Sequence, residues 1–196
     1  RSDASNHAGV AGENTGGGIG VYGYSGSGIA IMADGTGIIK STALTSWAVS
    51  PLKMVRGDYG SNWNDLQIIP SAQFGYVKLY TTGQDDLKAL LPVDMPYHLF
   101  GTYVNLHSYL FCYKMDNTAD KITQVDVEYV GTDGNAHNLC SYTTDVSNTS
   151  WACRTCTPTS YAGILGPVFV RFSLHFDADG SGRGIRLGQM YLNLAE

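Results

Sequence analysis

The sequence predicts an all-β protein: a short glycine-repeat stalk leads into a β-sandwich head of jelly-roll-like type. Three observations predict it. Gly and Tyr are abundant, 24 and 13 of 196 residues, while only 15% of residues are charged, a balance of glycine turns and aromatic strands rather than of solvated helices. The first part of the chain repeats itself at short intervals. The remainder alternates apolar and polar residues in short runs separated by turn residues.

The repeat comes first. Gly9-Val10-Ala11-Gly12 overlays Gly20-Val21-Tyr22-Gly23 and then Ala30-Ile31-Met32-Ala33, each followed by a small or polar turn. A unit this short holds one strand and one turn, so a ribbon of three would leave both faces and both edges wet. Either the C-terminal part of the chain covers it, or ribbons from identical chains wind into a shared prism. The small residues Gly12, Gly23 and Ala33 suit close backbone approach, with Val10, Val21 and Ile31 filling a narrow interior, and favour the second.

Gly20-Val21-Tyr22-Gly23-Tyr24-Ser25-Gly26-Ser27-Gly28 is similar to the GVYG-type glycine repeats of bacterial extracellular and phage tail-fibre-like proteins. The segment from Ala33 to Ala43 resembles the piece that closes such a stalk. The resemblance covers the first quarter of the chain and implies a trimeric β-helical shaft leading into a β-rich head. It names an architecture and no ligand.

Length gives room for such a stalk and neck over residues 1–50 and a head domain over residues 51–196. The formal net charge is −5 and Lys and Arg form no cluster, which excludes the basic face a nucleic-acid partner needs. No apolar run is long enough to span a bilayer, so no membrane insertion is expected. The chain opens at Arg1 without a basic, then hydrophobic leader, and is read as a processed product or a fragment, placed outside the cell on a surface or a virion fibre.

Beyond the neck the strands follow in order. Leu66 to Ile69 and Gly75 to Tyr80 are short strands, the second with Val77 and Leu79 on one face and Tyr76, Lys78 and Tyr80 on the other. Gln84 to Leu91 fits either a helical turn or two or a strand. Thr102 to Tyr113 places Val104, Leu106, Leu110 and Cys112 on one face and Tyr103, Asn105, His107, Tyr109, Phe111 and Tyr113 on the other, so both faces are expected to be covered. Thr123 to Val130 has Val125, Val127 and Tyr129 inward and Gln124, Asp126 and Glu128 toward water. Thr132-Asp133-Gly134-Asn135 is a hairpin turn, with Asn138 to Thr144 returning. Val168 to Phe176 alternates throughout. In the last strand, Ile185 to Leu194, the apolar parity switches between Leu187 and Met190, which places a bulge at Gly188-Gln189.

Cys112, Cys140, Cys153 and Cys156 permit three pairings, and sequence does not choose among them. Structural disulfides suit an exported protein; buried free thiols and a metal site are the alternatives. The spacing Cys153-Arg154-Thr155-Cys156 is that of half a zinc knuckle or of a redox motif, but zinc wants a second close pair and redox chemistry wants a helix N-terminus.

Other motifs carry less. Gly18-Ile19-Gly20-Val21-Tyr22-Gly23 matches the dinucleotide fingerprint in letters, yet no helix follows to hold a pyrophosphate. Asp177, Asp179 and Ser181 begin a sequence like a calcium loop, the one cofactor suggested, but the twelfth position is Gly188 rather than a carboxylate. A polar hairpin explains the same letters. Arg56-Gly57-Asp58 is an adhesion tripeptide and Asn148-Thr149-Ser150 a glycosylation sequon. No GxSxG elbow, HExxH helix or carboxylate pair is found, and His7, His98, His107, His137 and His175 are scattered. No catalytic residue is assigned.

Tyr59, Trp63, Asn64, Tyr97, Trp151 and Tyr161 fall in expected loops. Flat amphipathic rings beside amides suit sugar recognition, although packing in a core or a subunit interface would use the same residues. The expectation is therefore a non-catalytic fibre-tip or adhesion protein, a homotrimer whose heads bind a surface glycan multivalently. The alternatives are a structural subunit of an extracellular filament or surface layer, and a polysaccharide-cleaving fibre with a site built across chains.

Overall fold

Strict alternation makes the centre of the molecule. Along Val168–Phe176 every second residue from Val168 to Phe176 is buried, while Phe169, Arg171, Ser173 and His175 are half-buried, so one face of this strand belongs wholly to a core. The structure is a computed structural model and describes residues 44–57, 66–71, 73–82, 85–95, 98–99, 102–159, 163–177 and 184–195. The chain separates into two compact units, Arg1–Ile39 and Lys40–Glu196, and every described residue belongs to the second. The repeat over residues 9–37 and its dinucleotide-like motif lie outside the described residues.

The strands are β1 (Thr45–Val49), β2 (Val55–Arg56), β3 (Gln67–Ser71), β4 (Tyr76–Tyr80), β5 (Asp85–Val93), β6 (His98–Leu99), β7 (Thr102–Tyr103), β8 (Asn105–Met115), β9 (Lys121–Val130), β10 (Ala136–Tyr142), β11 (Ala152–Cys156), β12 (Val168–Phe176) and β13 (Ile185–Ala195). A 3-10 turn, Pro51–Lys53, capped by the Ser50 hydroxyl, separates β1 from β2. One sheet runs β11-β8-β13-β4-β3, with β1 also paired to β13; the second runs β10-β9-β12-β5-β2; β6 and β7 form a separate ribbon. All pairings are antiparallel. The chain changes sheet from β1 to β2, β2 to β3, β4 to β5, β8 to β9 and at each step from β10 to β13, the crossing pattern of a jelly-roll-like sandwich. β1 lies in the stretch expected to be a neck, yet it is an integral strand of the first sheet.

The two inner faces meet through aromatic and aliphatic side chains. Phe111 packs edge-on against Phe172 with centroids 6.1 Å apart, and Val77, Leu79, Tyr109, Val127, Leu174 and Leu187 are buried around them. Tyr109 is wholly enclosed; its hydroxyl donates to Met190 Sδ at 3.0 Å, and burial holds its pKa well above the ordinary 10.0.

The last strand bulges where its parity switches, the register shifting between Leu187 and Met190. This divides one edge of β13: Ile185–Leu187 pair with β4 and Met190–Leu194 with β1. The expected hairpin turn also forms, with the Gly131 amide donating to the Asn135 carbonyl at 2.9 Å. Asp133 there accepts from Asn135 and contacts His137, which hold its carboxyl below the usual carboxylate range, Asn135 contributing most. Of the stretch open to helix or strand, Asp85 to Leu91 belongs to strand β5, and Gln84 lies outside the described residues.

Two expectations are corrected. Val104 and Leu106 share the core face with Tyr109, Phe111 and Tyr113 rather than opposing them, because β8 shifts register against β13 between the partners of Asn193 and Leu194. Cys112 therefore leaves on the outer side. On β9, Asp126 and Glu128 do not meet water; both are buried. Arg171 Nη2 donates to Glu128 Oε1 at 2.8 Å and to Asp126 Oδ2 at 3.2 Å, and Ser141 Oγ donates to Asp126 Oδ1 at 2.6 Å. Glu128 Oε2 is buried with no hydrogen-bond partner. Burial raises the pKa of Glu128, against the opposing pull of Arg171.

Candidate functional site

The four cysteines form two disulfides, Cys112–Cys153 and Cys140–Cys156. Each member of the Cys153/Cys156 pair is thus taken by a different partner, which removes that pair from zinc and redox roles. Cys112 and Cys153 face one another across β8 and β11, whereas Cys140–Cys156 joins β10 of one sheet to β11 of the other. The edge strand β11 is pinned in both directions.

Outside the first sheet, the Cys112–Cys153 disulfide forms part of the wall of an open cleft of about 530 Å³. Its aromatic walls come from β4 and from the residue before β11. Phe74 stands at the tip of the β3–β4 hairpin, where Ser71 O accepts from the amides of Phe74 at 3.1 Å and Gly75 at 2.9 Å. Gly75 has φ 66°, a left-handed conformation that a side chain resists, and the tight turn leaves Phe74 67% exposed. Its ring stacks near-parallel on Tyr76 with centroids 6.0 Å apart.

Trp151 closes the other side, 49% exposed, its ring centroid 6.1 Å from that of Tyr76. Two contacts fix the chain leading to it: Asn148 O accepts from the Met115 amide at 2.7 Å, and Asn148 Oδ1 accepts from the Ser150 amide at 2.9 Å. The sequon asparagine is thereby a turn-forming residue. Gly188, in the β13 bulge, lies under the indole, and Gln189 beside it lines the cleft. Exposed ring faces can stack against an apolar sugar face, and a polar residue such as Gln189 on the same wall is of the type that bonds sugar hydroxyls.

Of the residues expected to bind sugar, Trp151 is in the cleft; Tyr59, Trp63, Asn64, Tyr97 and Tyr161 lie outside the described residues. Phe74, Gly75, Tyr76, Gly188 and Gln189 line the cleft but were not among the residues that sequence reasoning expected to bind. An aromatic beside the glycine of a tight hairpin is the signal that could have found Phe74. Asp177 sits at the neck of the loop once compared with a calcium site, with Asp179 and Ser181 outside the described residues. The neck is closed by Asp120, whose buried carboxylate accepts from the amides of Asp177 at 3.3 Å and Gly184 at 2.9 Å. Among the described residues no group of three metal-ligating side chains comes together, and no helix is long and apolar enough to cross a membrane. Arg56 belongs to β2 and the Gly57 amide donates to Lys88 O at 2.9 Å; Asp58 lies outside the described residues. His175 Nδ1 lies 2.7 Å from Asp86 Oδ1, a side-chain contact between β12 and β5.

No family model matches the sequence, and no curated protein matches it. Among solved structures, the chain is similar to the CBM22-1 xylan-binding domain of Paenibacillus barcinonensis Xyn10C, at 10% identity and a TM-score of 0.47 over 81% of this chain and 98% of that one. It is similar also to the xylan-binding module CBM86 from Roseburia intestinalis, at 10% identity and a TM-score of 0.45 over 78% and 96% of the two chains. A third similar structure is the family 29 carbohydrate-binding module CBM29_1 from Piromyces equi, at 12% identity and a TM-score of 0.42 over 76% and 91%. At these values the likeness does not reach the cleft, which is read from its own residues.

Proposed function

We propose that this chain is a non-catalytic glycan-binding protein whose head takes a saccharide in the cleft between Phe74, Tyr76 and Trp151. The observation that carries the proposal is the arrangement of those rings: Phe74 and Trp151 are large, exposed aromatics, and they flank a preformed cleft of about 530 Å³ that Gln189 also lines. Exposed aromatic surface is costly to leave in water unless it has a use, and two disulfides that pin β11 pre-organise the wall that bears Trp151. The glycine repeat, with its resemblance to fibre stalks, supports a homotrimer displaying three such clefts at a cell surface or on a virion, where avidity makes up for weak single sites.

The test is retardation of the full chain in gels containing individual polysaccharides, with Trp151→Ala beside it. Saturable retardation that Trp151→Ala abolishes, without release of reducing ends, is the expected result. Retention of full binding by Trp151→Ala would move the site elsewhere. Light scattering of the full chain and of a chain lacking residues 1–40 tests the trimer, which is expected to be lost on truncation.

A further inference from the structure

The strand row that borders the cleft is cationic. Arg186 stands in register with Lys78 of β4 on one side and Lys114 of β8 on the other, and residues directly opposite in a ladder leave the same face of a sheet. That face is the outer one, since the neighbours Leu79, Met115, Ile185 and Leu187 are buried in the core. Asp116 accepts from Lys78 Nζ at 2.7 Å and from Arg186 Nη2 at 2.8 Å, so one carboxylate serves two of the row's three cations. Among the described residues the row keeps a positive excess, on a chain whose formal net charge is −5.

The excess adjoins the aromatic rings. The Arg186 guanidinium lies over the Tyr76 ring, 5.4 Å from its centroid, and Trp151, 6.1 Å from Tyr76, directly precedes the β11 residue whose register partner is Tyr113, the neighbour of Lys114. A neutral sugar needs only the rings and a polar residue such as Gln189 beside them. An acidic one would also neutralise the row, in a partly covered setting where charges are screened less than in open solvent.

We propose that the cleft selects an anionic glycan, its ring against Trp151 and Tyr76 and its acidic group, a carboxylate or a sulfate, toward Arg186 and Lys114. This rests on the glycan-binding proposal for the same cleft. The test measures affinity of the full chain for polygalacturonate, for the same polymer after carboxyl reduction, and for a sulfated galactan, at low and high salt, with Lys114→Gln and Trp151→Ala alongside. Polygalacturonate or the sulfated galactan is expected to bind about tenfold tighter than the reduced polymer, with the preference shrinking in high salt and in Lys114→Gln. Preference for the first alone assigns the group as a carboxylate; preference for both assigns any compact anion. Trp151→Ala is expected to weaken binding to all three. Equal affinity for charged and reduced polymers overturns the selection and leaves the glycan proposal standing. Failure to bind any saccharide overturns both, and full-strength binding of the anionic polymers by Trp151→Ala separates the charge effect from the cleft and overturns this inference.

Discussion

The indole of Trp151 lies against Gly188, so close that a Cβ at that glycine would stand 2.9 Å from Cζ3 and 3.1 Å from Cη2. The obstacle is the far end of an exposed side chain, not backbone. Gly188→Ala is therefore expected to keep the fold and to displace the ring, seen as a shift in tryptophan emission with an unchanged far-UV spectrum. Binding should weaken with it; unchanged emission would show that the ring does not lie there.

Trp151→Ala should cost little stability, because about half of the side chain is already in water. As the central anchor of a small site it should cost about 2 kcal/mol of affinity, roughly thirtyfold. Titration calorimetry beside a urea melt separates the two effects.

Tyr109 and Met190 make a paired prediction. Met190→Leu keeps the volume but leaves the buried phenol without its acceptor, at a cost of about 1–3 kcal/mol. Tyr109→Phe removes the donor and should cost less. Because burial raises the phenol pKa, the folded state keeps the proton that an unfolded chain loses near its ordinary value of 10.0. Stability should fall as pH rises above that value in the wild type and less so in Tyr109→Phe.

Glu128 acts in the same direction at lower pH. Its folded pKa lies above the ordinary 4.5, so the folded state holds a proton that the unfolded state has released, and stability declines as pH rises from 4.5 through the folded value. Glu128→Gln keeps an acceptor for Arg171 and cannot ionise. Subtracting its urea stability from that of the wild type at successive pH values should reveal the decline; a flat difference would show that Glu128 is not shifted.

Reduction of the disulfides should be costly in both cases. The sequence separations are 16 for Cys140–Cys156 and 41 for Cys112–Cys153. Loop-closure entropy sets the contributions at about 3 and about 4 kcal/mol respectively. Single Cys→Ser pairs followed by chemical unfolding measure each, and loss of Cys112–Cys153 should also weaken binding, since it secures the strand after Trp151.

Local pattern made much of the sandwich legible. Val168 to Phe176 alternates without a break, and the Gly188-Gln189 bulge shows as a change of parity, because Leu187 and Met190 must both reach the core. The bulge in β8 does not show, because Leu110 and Cys112 on its outer side are as apolar as Phe111 and Tyr113 on its inner side. Asp126 and Glu128 look solvated for a related reason: their partner Arg171 lies 45 and 43 residues away, and nothing local announces it. The cleft was half legible. Trp151 is noticeable by itself, but Phe74 and Tyr76 join it only because β13 and β8 lie between β4 and β11, which is a property of topology rather than of spacing.

The division of β13 between two partners has a mechanical consequence. A pull applied at Leu44 and resisted at the cleft would travel from β1 to β13, β8 and β11 within a single sheet, without crossing the interior between the sheets. Tension along strands loads the ladder bonds in shear, because those bonds run across the strands. The final step is covalent through Cys112–Cys153, while the first depends on the short ladder from Thr45↔Leu194 to Val49↔Met190. That ladder is the link that should slip first under load, before the wall carrying Trp151 is disturbed.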